Sequence, residues 1–226
     1  MASDQTHPVL LSWSGGKDSC LALWELQRDT ELRVEALLTT VTRDYARISM
    51  HGVRCALLQR QAEALGLPLH QVQISTGASN AGYEAEMGRA FSHYRGLGVD
   101  RVAFGDLFLE DIRAYRQRLL AEHGMTGLYP LWGRDTHQLI HEFIRLGFRT
   151  VVVCVDPAKL DPRFAGRSID ERFLEELPEG VDPCGENGEF HTFVFDGPLF
   201  SEPVRFSLGE IVHRDSFWFC DLLPQG

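Results

Sequence analysis

The chain has 226 residues, 44% of them hydrophobic, and a formal net charge of −10. That suits a soluble protein of one or two domains and excludes a broad nucleic-acid surface, because phosphate backbones are met by clustered Lys and Arg. No apolar run approaches the ~20 residues that span a bilayer, the polar stretch before Pro8 does not read as a secretion signal, and five scattered cysteines without a Cys-x-x-Cys pair point to reduced thiols and a cytoplasmic location.

The first predicted strand, Pro8 to Trp13, runs straight into Ser14-Gly15-Gly16-Lys17-Asp18-Ser19, and Cys20, Leu23 and Trp24 then follow at helical spacing. A strand, a glycine turn and a helix start make an anion site. The first helical turn has N–H groups without intrahelical partners and carries the positive end of the dipole. Gly15 and Gly16 allow close approach, Lys17 adds charge, and Ser14 and Ser19 add hydroxyls. An ordinary P-loop is excluded, since residues 10–13 hold no glycine at the required spacing.

Further along, Val34–Val41 reads as a second strand, Arg54–Leu65 as a helix with Leu57, Leu58, Gln61, Ala62 and Leu65 on one face, and Leu69–Ile74 as a third strand. A helix marked by Tyr83, Met87, Ala90, Phe91 and Tyr94 precedes a short strand Arg101–Phe104, which leads into Gly105-Asp106. The helix Glu110–His123 and a fifth strand Gly127–Leu131 complete an alternating pattern. This predicts an α/β fold, a doubly wound parallel five-stranded sheet, with ligands at the carboxyl ends of the strands. Leu38 and Thr39, at the end of strand two, are placed to meet a base through backbone groups. Asp106, at a strand end, is placed to reach a ribose or a metal ion. Arg113, Arg116 and Arg118 read as a solvated helix face.

After Trp132 the pattern changes to a smaller α+β domain, with the boundaries expected at 1–131 and 132–226. Asp135 or Thr136 caps a helix, Thr150–Val155 is an apolar strand, and Ser168-Ile169-Asp170-Glu171 has the form of a capping box. Strands follow at Phe190–Phe195, Val204–Leu208 and Ser216–Leu222. Two lobes with a cleft between them are expected. The stretch Cys184-Gly185-Glu186-Asn187-Gly188-Glu189-Phe190-His191-Thr192 packs carboxylates, an imidazole and a hydroxyl ahead of an apolar strand, a density that marks a site. The bland alternative is an Asn-Gly hairpin flanked by solvated carboxylates. His141-Glu142 is not a zinc motif, since position 145 is Arg145.

The Ser14–Ser19 turn resembles the pyrophosphate loop of the PP-loop ATP pyrophosphatases. Together with Gly105-Asp106, Trp132-Gly133-Arg134-Asp135 and the Cys184–Thr192 stretch, it resembles the diphthine–ammonia ligase family, also known as the ATP-binding DUF71 family. The resemblance covers about Leu10 to Leu199. It implies an adenine nucleotide α-hydrolase (HUP) domain, a C-terminal acceptor domain, and ATP-dependent amidation of a carboxylate by ammonia with release of AMP and pyrophosphate. One position departs: where the ligases carry Glu-Tyr-Glu-Thr, this chain has Glu189-Phe190-His191-Thr192.

The resemblance and the residues together name Lys17, Glu186, Glu189 and His191 as catalytic. ATP is assigned to Ser14, Gly15, Gly16, Lys17, Asp18, Ser19, Leu38, Thr39, Gly105, Asp106 and, by likeness to a family position, His51. The acceptor is assigned to Arg134, Asp135, Gly185, Gly188 and Thr192, with Arg134 equally readable as part of a helix cap. His191 or Glu189 is expected to act as a base with a pKa near the working pH. Mg²⁺ is expected to arrive with the ATP phosphates; its protein ligands are unassigned. Cys184 as a nucleophile is outweighed by an inert buried thiol. The rival readings are a tRNA-modifying PP-loop enzyme and a nucleotide sensor without turnover. A homodimer is left open, and neither membrane nor nucleic acid is expected as a partner.

Overall fold

The computed structural model describes residues 6–42, 47–48 and 52–225. In chain order the elements of the first half are β1 (His7–Ser12), α1 (Lys17–Arg28), β2 (Leu32–Thr42), the two-residue β3 (Arg47–Ile48), α2 (Cys55–Leu65), β4 (Leu69–Ile74), α3 (Asn80–Gly96), β5 (Arg101–Ala103), α4 (Glu110–Glu122) and β6 (Thr126–Leu128). The second half adds α5 (Thr136–Arg145), β7 (Arg149–Val155), α6 (Glu171–Glu176), β8 (Phe190–Asp196), β9 (Phe206–Arg214) and β10 (Phe217–Pro224).

These elements form two compact units, each assembled from separated stretches of chain. Described residues 6–14, 18–42 and 67–133 make the first; 15–17, 47–48, 52–66 and 134–225 make the second. The tip of the glycine turn and helix α2 thus group with the C-terminal residues.

In the first unit five parallel strands run in the order β4-β2-β1-β5-β6, the doubly wound sheet that the alternating pattern predicts. Val9, Leu10 and Leu11 of β1 and Ala36, Leu37 and Leu38 of β2 are all buried, as strands covered on both faces must be. β2 runs on to Thr42, past the end of its pairing with β1 at Ser12 and Leu38, because β4 continues to pair with it as far as Ile74. Strand order reverses between β1 and β5, and ligands of such sheets bind at that switch point. There the chain after β5 packs on the start of α1. A Cβ at Gly105 would lie 2.7 Å from the Asp18 carbonyl carbon and 2.8 Å from its oxygen, so only glycine fits.

The second unit is an antiparallel sheet, β8-β7-β10-β9, with an aromatic core. The Phe173 ring meets Phe164 edge-on at 5.4 Å and Phe190 at 5.7 Å, and Phe143 stacks on Phe148 at 5.0 Å. Helix α2 is tied into this unit at several points. Arg54 makes a two-pronged pair with Asp221 at 3.1 and 2.6 Å, and Ser201 donates through both its N–H and its hydroxyl to the Ala64 carbonyl.

Three boundaries differ notably from expectation. The fifth strand, expected at Gly127–Leu131, is β6, Thr126–Leu128. The cap of α6 is Asp170, whose carboxylate accepts from the Phe173 N–H at 2.8 Å; Ser168 instead bridges to Val151 as an extended residue, so the capping-box reading is displaced by two positions. β9 begins at Phe206 and reaches Arg214 where Val204–Leu208 was expected, because most of it is exposed and leaves little apolar signal.

Replacing Gly105 with alanine is expected to destabilise the chain by about 1–3 kcal/mol through backbone overpacking. Urea unfolding of G105A against the native chain measures it; an unchanged midpoint would refute the packing argument.

Candidate active site

The tip of the glycine turn is held within the second unit. The Gly15 carbonyl accepts the Val194 N–H at 2.9 Å and the Gln61 side-chain amide at 3.0 Å. The same amide nitrogen donates to the Val194 carbonyl at 2.5 Å. Two residues on, the Lys17 N–H donates to Thr192 Oγ1 at 3.0 Å. Gly15 has a φ of +76°, and a Cβ there would meet Gln61 Oε1 at 2.7 Å and Leu58 Cδ2 at 2.8 Å. Conformation and helix packing both demand glycine.

Lys17 is only 2% exposed, and its ammonium lies 3.7 Å from Glu186 Oε1. A buried ammonium needs a counter-charge, and Glu186 provides one. His191 sits across from Cys154 on β7. Burial, assisted by the Lys17 charge, pulls its pKa down from 6.5 to about 4. The expectation of a base poised near the working pH is therefore corrected at His191: the ring is neutral at pH 7 and a weak proton acceptor, because a second positive charge beside Lys17 is costly. Burial and nearby Asp156 push the Cys154 thiol up to about 12, so it carries no thiolate at neutral pH.

Glu189 is 3% exposed, and its carboxylate accepts from the Asp182 N–H at 3.1 Å, the Asn187 N–H at 3.0 Å and the Asn187 side-chain amide at 3.2 Å. This is a carboxylate turned into its own loop, not one facing an acceptor. The solvated-carboxylate alternative fails for the same reason. Asp182 adds a second brace, accepting from the Cys184 N–H at 2.8 Å and the Glu186 N–H at 3.3 Å, and Lys159 Nζ donates to the Asn187 carbonyl at 2.6 Å. Gly185 and Gly188 take positive φ in this turn, and a Cβ at Gly185 would strike the Phe190 carbonyl oxygen at 2.8 Å. Asp135 caps α5, accepting from the Gln138 N–H at 2.8 Å, and Arg134 pairs with Glu142. The buried Cys184 thiol donates to the Thr136 carbonyl at 3.3 Å.

In the first unit Ser14 Oγ and Ser19 Oγ lie 3.2 Å apart. Asp106 pairs with Arg116, yet burial, offset by Arg116 and reinforced by Asp18, leaves its pKa above the ordinary carboxylate value. Arg118 pairs with Glu84 and Glu122, and Arg113 lies over the Trp132 ring at 4.3 Å, so the three arginines are engaged rather than arrayed as a patch. Leu38 and Thr39 are buried on β2 where β1 has ended. Two hydroxyls, Thr39 Oγ1 and Tyr129 Oη, are buried without a hydrogen-bond partner, the latter on a ring stacked against Phe104 at 5.6 Å. Buried hydroxyls of this kind are ordinarily met by ordered water or another polar group. His51 lies outside the described residues. Among the described residues no three metal-ligating side chains converge, and no helix is long and apolar enough to cross a membrane.

Sequence reasoning missed Gln61, Asp182, Lys159 and Tyr129. For Gln61 a signal existed: an amide among leucines on the apolar face of a helix must find partners inside. Asp182, directly before Pro183, carried the mark of a side-chain-closed turn. Nothing local identified Lys159 or Tyr129.

The family model described as the diphthamide synthase N-terminal domain matches residues 8–127, and that of the C-terminal domain matches residues 135–222. The chain belongs to the diphthamide synthase family. Similar to this member are a diphthine–ammonia ligase of Danio rerio, 28% identical over 89% of this chain and 88% of the relative, and one of Rattus norvegicus, 26% identical over 88% and 82%. A third, from Schizosaccharomyces pombe, is 25% identical over 92% of this chain but 38% of its own length. Among solved structures, the U34-tRNA thiolase NcsA of Methanococcus maripaludis aligns over 81% of this family member and 67% of the thiolase at a TM-score of 0.40 and 12% identity, a likeness too distant to bear on function.

The displaced His191 pKa has a pH signature. A proton binds the unfolded ring below about 6.5 and the folded ring only below about 4, so the stabilisation is full above pH 6.5 and is lost as pH falls toward 4. About 3 kcal/mol is at stake, at ~1.4 kcal/mol per pH unit. Denaturation between pH 7.5 and 4 should show the native chain losing about that much stability relative to H191Q; parallel curves would refute the shift.

Proposed function

We propose that the chain is an ATP-dependent ligase that forms an amide, transferring AMP from ATP to a carboxylate and letting ammonia displace it, with pyrophosphate as the other product. The observation that carries this reading is the buried Lys17 ammonium at the start of α1, matched to Glu186 from the family's second motif. Such a cation, with helix N–H groups beside it, fits a polyphosphate. The relatives named diphthine–ammonia ligase support the reaction class. They lend nothing to the tRNA-modifying or nucleotide-sensing alternatives.

The residues fit ATP in two respects. In the first unit the orphaned Thr39 hydroxyl would serve the base or ribose beside the backbone of Leu38, with Gly105 and Asp106 at the neighbouring strand end. In the turn, Gly16, Lys17, Asp18 and Ser19 would hold the phosphates, and Ser14 would brace Ser19. Lys17 would exchange Glu186 for phosphate oxygens and stabilise the charge that grows on departing pyrophosphate. Mg²⁺ would ride on the phosphates, with Asp18 its nearest protein partner in sequence.

On the acceptor side Glu186, once released from Lys17, would receive a proton from the incoming ammonium. His191, neutral at pH 7, would accept a hydrogen bond from the nitrogen without taking its proton. Glu189, Gly185 and Gly188 would hold the loop in shape, Thr192 would anchor the turn, and Arg134 would have to leave Glu142 to meet a carboxylate. Residues 1–131 would provide the nucleotide-binding half and 132–226 the acceptor half, with the turn tip and α2 serving the second. The chain would work in the cytoplasm, where ATP and ammonium are present.

The test is pyrophosphate release with ATP, Mg²⁺, ammonium and a panel of carboxylates. K17A is expected to lower turnover about 10²–10³-fold, the scale of one lost charge-stabilising donor. Products of ADP and orthophosphate, or an undiminished K17A, would refute the scheme.

A further inference from the structure

We propose that Gln61 is a positioning residue for the phosphate-binding turn, acting through the Gly15 carbonyl; this rests on the reading of the chain as an ATP-dependent ligase. Gln61 is fully buried on the face of α2 that also carries Leu57, Leu58 and Ala62. An apolar side chain would fill that place as well. What an apolar side chain would not do is donate twice, and both carbonyls within reach of the amide nitrogen belong to elements that carry site residues: Gly15 of the turn at 3.0 Å and Val194 of β8 at 2.5 Å. Two carbonyl acceptors on one side fix the orientation of the amide, nitrogen toward both.

The effect on the turn follows from peptide planarity. Among the described residues no peptide bond is cis, so in the 15–16 peptide the Gly15 C=O and the Gly16 N–H point in opposite directions. With the Gly15 carbonyl tied to two donors, Gln61 Nε2 and Val194 N, the Gly16 N–H is aimed as well. A Gly-Gly peptide flips easily, since neither residue has a Cβ to resist. Val194 alone leaves one lone pair of the Gly15 oxygen unheld and the peptide free to rock. Gln61 is the second tether. It selects the one orientation in which the Gly16 N–H points away from the two donors on the Gly15 carbonyl, and in the ATP reading that N–H is one of the turn's phosphate donors. The donor serves bound ATP and the transition state alike, so its loss should weaken binding with little change in the chemical step.

The experiment compares the full chain with Gln61→Met, which keeps length and volume but donates nothing. Calorimetric titration with α,β-methylene-ATP should show about tenfold weaker binding, and pyrophosphate release should show a KM for ATP raised by a similar factor with kcat within about twofold. The Gly16 amide, followed by NMR without nucleotide, should shift and exchange faster. Should Gln61→Met not fold, Gln61→Glu gives a second reading: a protonated carboxyl restores one donor, so its affinity for the analogue should improve as pH falls, relative to the native chain. A folded Gln61→Met with native affinity and an unmoved Gly16 resonance would overturn the inference. A native chain that binds no adenine nucleotide would overturn the ATP reading instead, whatever the Gly16 resonance does.

Discussion

The arrangement turns on a single carbonyl. Gly15 O receives two N–H donors, one from the backbone of an edge strand and one from a buried side chain. β8 ends its sheet, so Val194 has a backbone N–H and C=O directed away from β7, and an edge of this kind must be covered or it recruits a stranger. Here the cover is the chain's own glycine turn together with the Gln61 amide. Left without partners, that amide would cost roughly 1–3 kcal/mol. One constraint thus protects the sheet edge, satisfies the amide and shapes the glycine turn.

Charge is used in two ways. Glu189 and Asp182 spend their oxygens on backbone N–H groups of the loop between them; they are scaffold, and their chemistry is to hold glycine-rich backbone in a conformation it would otherwise leave. Glu186 and Lys17 instead face each other side chain to side chain, 3.7 Å apart. His191 is held neutral by its neighbourhood. This member carries an imidazole where the resembling ligase motif has a carboxylate, and near Lys17 it presents a neutral ring in place of a further acidic group. A site so modified has lost a negative charge without gaining a positive one.

Much of the first unit was legible because its strands are continuous apolar runs and its helices have clean periodicity: β4 and α4 fall within one residue of expectation. The glycine turn was legible from six consecutive residues. What failed to show was whatever depends on partners distant in sequence. Spacing placed Gln61 on a helix face, but no pattern of period 3.6 says that the face meets Val194, 133 positions on. Glu189 looked catalytic because a carboxylate in a glycine loop and a carboxylate that closes one are written with the same letter. His191 was read with its ordinary pKa, and only burial and the proximity of Lys17 alter it. β9, with no fully buried residue, had only a weak apolar signature beyond Leu208.

Helix α2 is encoded between two strands of the parallel sheet, yet it is bound by Arg54, Gln61 and Ala64 to β10, β8 and the Ser201 turn. A gene cut near codon 131 would part this helix from the residues that hold it, and leave the other fragment with a bare strand edge. The two halves are therefore poor candidates for exchange between relatives by simple recombination. Their genetic seam and their physical seam run through different places, and inheritance as one continuous reading frame is built into the path of the backbone.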